Sequence, residues 1–372
     1  MNVLDLATEE LKFTEINASI ESLQYVITEA LDSTRQIDKL SELISSNNNP
    51  TSISIEAINL TISTIYENLG ATRYAFSTES ISNEIALENI NEFVQKLWVK
   101  IKETLDDLWN KVSDFWNDNF ASLTKIKRSL ESVLLRVRYE YEINNPKVVG
   151  KENQPLKNLF GSDENIDDKS IEKIINTHRI NFNILDSIIN HTKHFNKHIK
   201  TISNSEFEHG VDYLFQSLCK EFIRHPFRFG EERHPIVNGE YLTLEYNYDE
   251  ESHDINLTTD KQKVEIAENI EILAISKHRL EYIIKQTLDI ISSTFKYKSI
   301  QEGIKKEFDD LTRVYDKMIE SGEPDLNGEH KKVIRLVYRI NSSIPGVFGV
   351  VILSNVKLAR GVVNYAEFCM RA

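Results

Sequence analysis

The sequence predicts a mostly α fold: long amphipathic helices forming a helical bundle, with one small β-hairpin insert around residues 223–258. Three observations carry that prediction. Gly (12) and Pro (7) are scarce in 372 residues, and neither occurs between Gly70 and Pro146, so nothing in that span breaks a helix. Within it, Val94, Trp98, Ile101, Leu105, Leu108, Val112 and Phe115 fall at alternating steps of four and three, the heptad seam of a packed helix. One stretch departs from helical spacing: YLTLEYNY (241–248) alternates with period two behind Asn238-Gly239, a dipeptide suited to a tight hairpin turn.

In chain order, residues 1–79 form an acidic N-terminal segment. Patches such as IESLQYVITEAL and the polar SSNNNPTS (45–52) predict two or three short helices with a weak apolar face, whose removal is expected to leave the core intact. Residues 80–145 are the tryptophan-rich heptad region, holding Trp98, Trp109 and Trp116, all three tryptophans of the protein. The seam softens at Asn117–Ser122 and resumes at Leu123, Ile126, Leu130, Val133 and Val137. One continuous helix and an antiparallel pair broken at 117–122 both fit.

Residues 146–170 read as a linker or loop, and 171–372 as a C-terminal helical domain that carries the hairpin. Leu185, Ile188, Phe195, Ile199 and Ile202 line the first helix of this domain. Thr259 with Gln262 has the form of a capping box opening a helix with Ile266, Ile270, Leu273, Leu280, Ile284 and Ile291. Ile304, Phe308, Leu311, Tyr315 and Met318 mark a further helix, and one or two more follow from His330. The run IPGVFGVVIL (344–353) is about half of what a bilayer crossing needs and reads as a buried turn with a strand or helix start, because Pro345 and two glycines interrupt it.

Two cysteines, Cys219 and Cys369, are too few for a disulfide framework and point to a reducing compartment. The start of the chain lacks a basic, then apolar, secretory pattern. No HExxH, P-loop, GxSxG or GxGxxG pattern is present, nor a cysteine pair at zinc spacing. A non-enzymatic protein without a cofactor is therefore expected. His191, His194 and His198 share one helical face and are the candidate metal ligands. Each precedes a seam residue and no carboxylate or cysteine is interleaved, so a solvated flank, and no metal, is the stronger reading. The RHP pairs at Arg224–Pro226 and Arg233–Pro235 fit a structural loop better than an anion site. Asp309-Asp310 reads as the wet side of a helix.

The formal charge is −14, and residues 1–79, with 4 basic and 12 acidic residues, carry −8 of it. A phosphate-neutralising nucleic-acid binder needs the opposite balance. The patch Lys125, Lys127, Arg128, Arg136 and Arg138 allows at most weak, non-specific DNA contact. The tryptophan helix could instead lie in a membrane interface, the membrane-active or host-directed effector reading, but residues 91–120 hold four lysines against six acids and gain nothing from anionic lipid. No stable membrane association is expected, and packing against another helix is preferred. A coiled-coil adaptor and a homo-oligomer remain open.

The segment FSTES…EFVQKLWVKIKETLDDLWNKVSDFWNDNFASLTKIKRSLESVLLRVR resembles the internal head proteins of large tailed bacteriophages, most clearly over residues 60–140. The resemblance implies a virion structural component, made in the host cytoplasm and packed with the genome inside the head beside other head or scaffold proteins. It also implies a propeptide, cut by a prohead protease after a small residue–any residue–Glu triplet, and release of the mature part with the DNA. Carried onto this chain the triplet is Ser77-Thr78-Glu79, with the cut before Ser80. Other triplets of that form occur, among them Ser54-Ile55-Glu56 and Ser129-Leu130-Glu131. Glu79 is favoured because it stands at the charge discontinuity, just before a strong helix. The plain alternative is that Thr78 or Ser80 caps that helix.

Overall fold

In a computed structural model of the chain, the residues described are 3–46, 83–143, 147–151, 165–201, 233–237, 240–248, 253–261, 271–320 and 328–371. Among the described residues five helices dominate: α1 (Val3–Ser46), α2 (Asn83–Glu140), α3 (Asp168–Thr201), α4 (Lys277–Glu320) and α5 (Gly328–Met370). The fold is mostly α, as composition and spacing predict. Six strands accompany the helices: β1 (Lys147–Lys151), β2 (Asn165–Ile166), β3 (Arg233–Val237), β4 (Glu240–Tyr248), β5 (His253–Lys261) and β6 (Glu271–Ala274).

The core is built around α5, which packs against α1, α2, α3 and α4. Nearly every residue from Val333 to Val356 is buried, because a helix with neighbours on all sides has no wet face. IPGVFGVVIL lies in the middle of this continuous helix, with Pro345 inside it. The turn-and-strand expectation is thereby corrected: the helix runs on through Pro345 with neighbouring helices packed around it.

The second helix, α2, runs 58 residues without a break, roughly 87 Å at 1.5 Å per residue. Of the two arrangements the sequence allows, the continuous one holds, because Phe115 and Trp116 before the polar patch, Ser122 at its end and Leu123 after it are buried and keep the same face turned inward. It is α1 that differs from expectation in how it packs. Residues 3–46 of the N-terminal segment form one 44-residue helix, longer than the short helices expected there, and Ile20, Ile27, Leu31 and Ile37 are wholly buried in the common core; residues 47–82 lie outside those described. The helix is not a peripheral addition.

Two small sheets correct the reading of the loops. Residues 146–170 supply β1 and β2, which flank β6 in the order β1-β6-β2, antiparallel on one side and parallel on the other. Thr259 lies in β5, paired with Leu242, and Leu273 lies in β6, so no helix opens at Thr259; α4 begins at Lys277. That helix also absorbs Ile304, Phe308 and Leu311 without interruption. The hairpin insert is a three-stranded antiparallel meander, β3-β4-β5, packed through β5 on α5 and through β3 on α3. Arg233–Pro235 belongs to β3; Arg224–Pro226 and the turn Asn238-Gly239 lie outside the described residues.

Hydrogen bonds from side chains and backbone tie the ends of elements together. Asp167 caps α3, its Oδ1 accepting from the Ser170 amide at 2.8 Å and the Ser170 hydroxyl at 2.9 Å. Lys277 N donates to Ile143 O at 2.9 Å, and the Tyr141 hydroxyl to Ile275 O at 2.6 Å, fixing the start of α4 to the end of α2.

Candidate functional site

The cleavage residues Ser77, Thr78, Glu79 and Ser80 lie outside the described residues. What the structure does define is the surface on which the segment before them sits, the groove between α2 and α5 that holds α1.

One side of this interface is apolar. The seam residues Trp98, Ile101, Leu105, Leu108, Val112 and Phe115 are buried and Val94 is partly buried against them. Trp98 meets the ring of Tyr338 on α5 at 5.4 Å. Trp109 and Trp116, one position beyond seam residues, are also at most 1% exposed. The inward face of α2 is thus wider than a coiled-coil seam, as a helix with three neighbours requires, and the contacts lie within the chain. The indole N–H groups of Trp109 and Trp116 have no hydrogen-bond partner; these two rings are held by packing alone.

The other side is polar and runs along α5. Asp38 joins two cations one turn apart, Lys331 Nζ at 2.8 Å and Arg335 Nη1 at 2.6 Å. One turn further, Arg339 Nη2 reaches Asp32 at 2.6 Å. Beyond that row the Gln24 side-chain amide donates to Ser342 O at 2.8 Å and Ser343 O at 3.2 Å, just before Pro345. Gly346 makes room for it: a Cβ there would lie 2.5 Å from Gln24 Oε1. Spacing of four residues along α5 makes this row legible in the sequence in retrospect, but its acidic partners are about 300 positions away and no local pattern joins the two.

A second polar cluster is enclosed in the core. The Asn355 amide donates to Thr294 Oγ1 at 3.2 Å, which leaves Asn355 Oδ1 to accept from His178 Nδ1 at 2.7 Å. His178 is therefore neutral with its proton on Nδ1, and burial holds its pKa down at about 4 although the Asn355 bond pulls the other way. Asn196 and Asn341 face each other at 3.4 Å. Near the bundle end, burial raises Cys369 to about 11, so this thiol is no nucleophile at neutral pH. Burial likewise raises Tyr141 and Tyr297, with a smaller contribution to Tyr297 from Asp186.

Of the histidine candidates, His194 is exposed while Thr192, Phe195 and Ile199 are buried; the side chains of His191 and His198 lie outside those described. Among the described residues no group of three or more His, Cys, Asp or Glu is placed to hold a metal. Asp309 pairs with Lys305 at 3.1 Å. In the basic patch, Arg136 pairs with Glu140 and Arg138 with Glu281, and Lys127 lies over Phe295. By length and composition α5 passes for a membrane span, yet its most apolar window is 83% buried inside the protein, as expected of a central core helix.

A model of the family described as phiKZ-like phage internal head proteins matches residues 5–367. Neither a curated protein nor a solved structure matches the chain.

Proposed function

The chain belongs to the phiKZ-like phage internal head proteins, a structural component of the virion located inside the phage head, and from that membership we propose that it is made in the host cytoplasm as a precursor and packed with the genome. The prohead protease cuts it after Glu79, and the processed protein leaves the head with the DNA. The observation that carries the cleavage reading is the charge step: −8 of the net −14 precedes Ser80, and Ser77-Thr78-Glu79 stands between that segment and α2. Its partners are other head or scaffold proteins, its protease and, weakly, DNA. No chemistry is assigned to it, no cofactor or metal is needed, and copies of the chain are free to associate.

The membrane-active alternative needed tryptophans available to lipid. All three are buried in the bundle, which supports the internal reading. The test is co-expression with the prohead protease: the expected product starts at Ser80, and Glu79→Gln abolishes it. Cutting that persists in the Glu79→Gln variant would move the site to another triplet.

A further inference from the structure

We propose that α1 remains docked in the groove between α2 and α5 after the chain is cut, so that processing yields a two-piece protein rather than a shortened one. The proposal rests on the cleavage reading for its setting in the head, but its physical basis is independent of it.

Glu79 lies well past Ser46, the last residue of α1, so a cut there breaks none of the contacts that seat this helix. Ile20, Ile27, Leu31 and Ile37 are wholly buried, and removing α1 would bare their counterparts on α2 and α5 to water. The rim matches the occupant in charge. Residues 330–339 hold Lys331, Lys332, Arg335 and Arg339 without one acid, while residues 1–79 carry 12 acids against 4 bases. Three of these cations meet α1 carboxylates, and Asp38 and Arg335 keep only 16% and 14% of their side chains exposed, which limits screening by salt. Gln24 closes on the carbonyls before Pro345. The groove thus fits an acidic amphipathic helix, and α1 is that helix. What the cut removes is the tether, which lowers the effective concentration of α1 without touching its contacts.

Two consequences follow. The acidic segment does not take its charge away on cleavage, so cutting alone does not turn the remainder toward DNA. Release of α1 requires a separate event that unfolds it or competes for the groove.

The experiment replaces residues 77–80 of the full chain with the recognition sequence of a site-specific protease, cuts the purified protein, and applies it to a sizing column at about 0.15 M salt. Both pieces are expected in one peak, in equal amounts, at the mass of the uncut protein and with an unchanged helical circular dichroism signal. Separate emergence of the N-terminal piece, or aggregation of the remainder, would overturn the proposal. A peak at twice the mass of the uncut protein would overturn it as well, by seating α1 on a neighbouring copy. In a second protein, Asp32→Lys with Asp38→Lys, the cut piece is expected to come away at lower salt; retention identical to the parent would remove the ion-pair row from the account. Because the cut is made in vitro, uncut protein in virions would sink the cleavage reading and leave this one standing, and separate emergence would do the reverse.

Discussion

The side-chain amide of Gln24 donates to the carbonyl oxygen of Ser342 at 2.8 Å, joining α1 to α5 across 318 positions of sequence. Proline inside a helix removes one backbone donor and tilts carbonyls of the preceding turn outward, and Gln24 meets two of these. Gln24→Ala is expected to cost about 1 kcal/mol. Gly346→Ala pushes against the Gln24 amide in the parent but meets nothing of it in Gln24→Ala. The two substitutions should therefore not add, and a double-mutant cycle in urea unfolding measures the coupling. Strict additivity would contradict the contact.

Trp98→Ala removes the ring packed at a tilt against Tyr338 and should destabilise the protein by about 3–5 kcal/mol. The native emission spectrum should be that of indoles away from water, since Trp98, Trp109 and Trp116 are all buried. A spectrum of water-exposed tryptophan would contradict the packing.

His178 sets a pH dependence. Its folded pKa of about 4 lies below the unfolded 6.5, so between those values the unfolded chain binds a proton that the folded chain refuses. No penalty applies above about pH 6.5, and stability falls as pH drops toward about 4, by up to ~3 kcal/mol. Carboxylates add their own acid lability, so the comparison is with His178→Gln. That variant should be less stable at neutral pH, having lost its geometry with Asn355, but its stability should fall less steeply over this window. Equal slopes would show that His178 is not titrating there.

DNA should bind at best weakly. The basic patch on α2 is partly engaged, Arg136 with Glu140 and Arg138 with Glu281, and the whole chain carries −14. Binding to a double-stranded fragment should be micromolar or weaker at physiological salt and should weaken further as salt rises. Tight, salt-insensitive binding would contradict this.

How much of this was legible in the sequence depended on where the partners lay. The α2 seam could be read because its spacing is local and strictly apolar. The face of α1 is just as buried but includes Ser33 and Thr34, whose hydroxyls bond to Glu29 O and Leu31 O of their own helix. Such residues enter a core while looking polar in sequence, and so the helix read as weak and peripheral. Residues 271–274 read as helix in the sequence because four residues carry no period of their own; only pairing with β1 and β2, more than a hundred positions earlier, makes them a strand. Pro345 and Gly346 look like a break until Gln24 is seen against them. At the candidate site, residue type and charge balance pointed to Glu79 and to the tryptophan helix, whereas the ion pairs of Asp32 and Asp38 with α5 are tertiary and left no local trace.

For an internal head protein proposed to be cut after Glu79, the sharpest test is peptide mass spectrometry of purified, nuclease-treated virions. Cleavage there gives a peptide whose first residue is Ser80 and leaves no peptide spanning Glu79 and Ser80. Absence of the protein from virions, or abundant peptides running unbroken through Glu79-Ser80, would contradict the proposal.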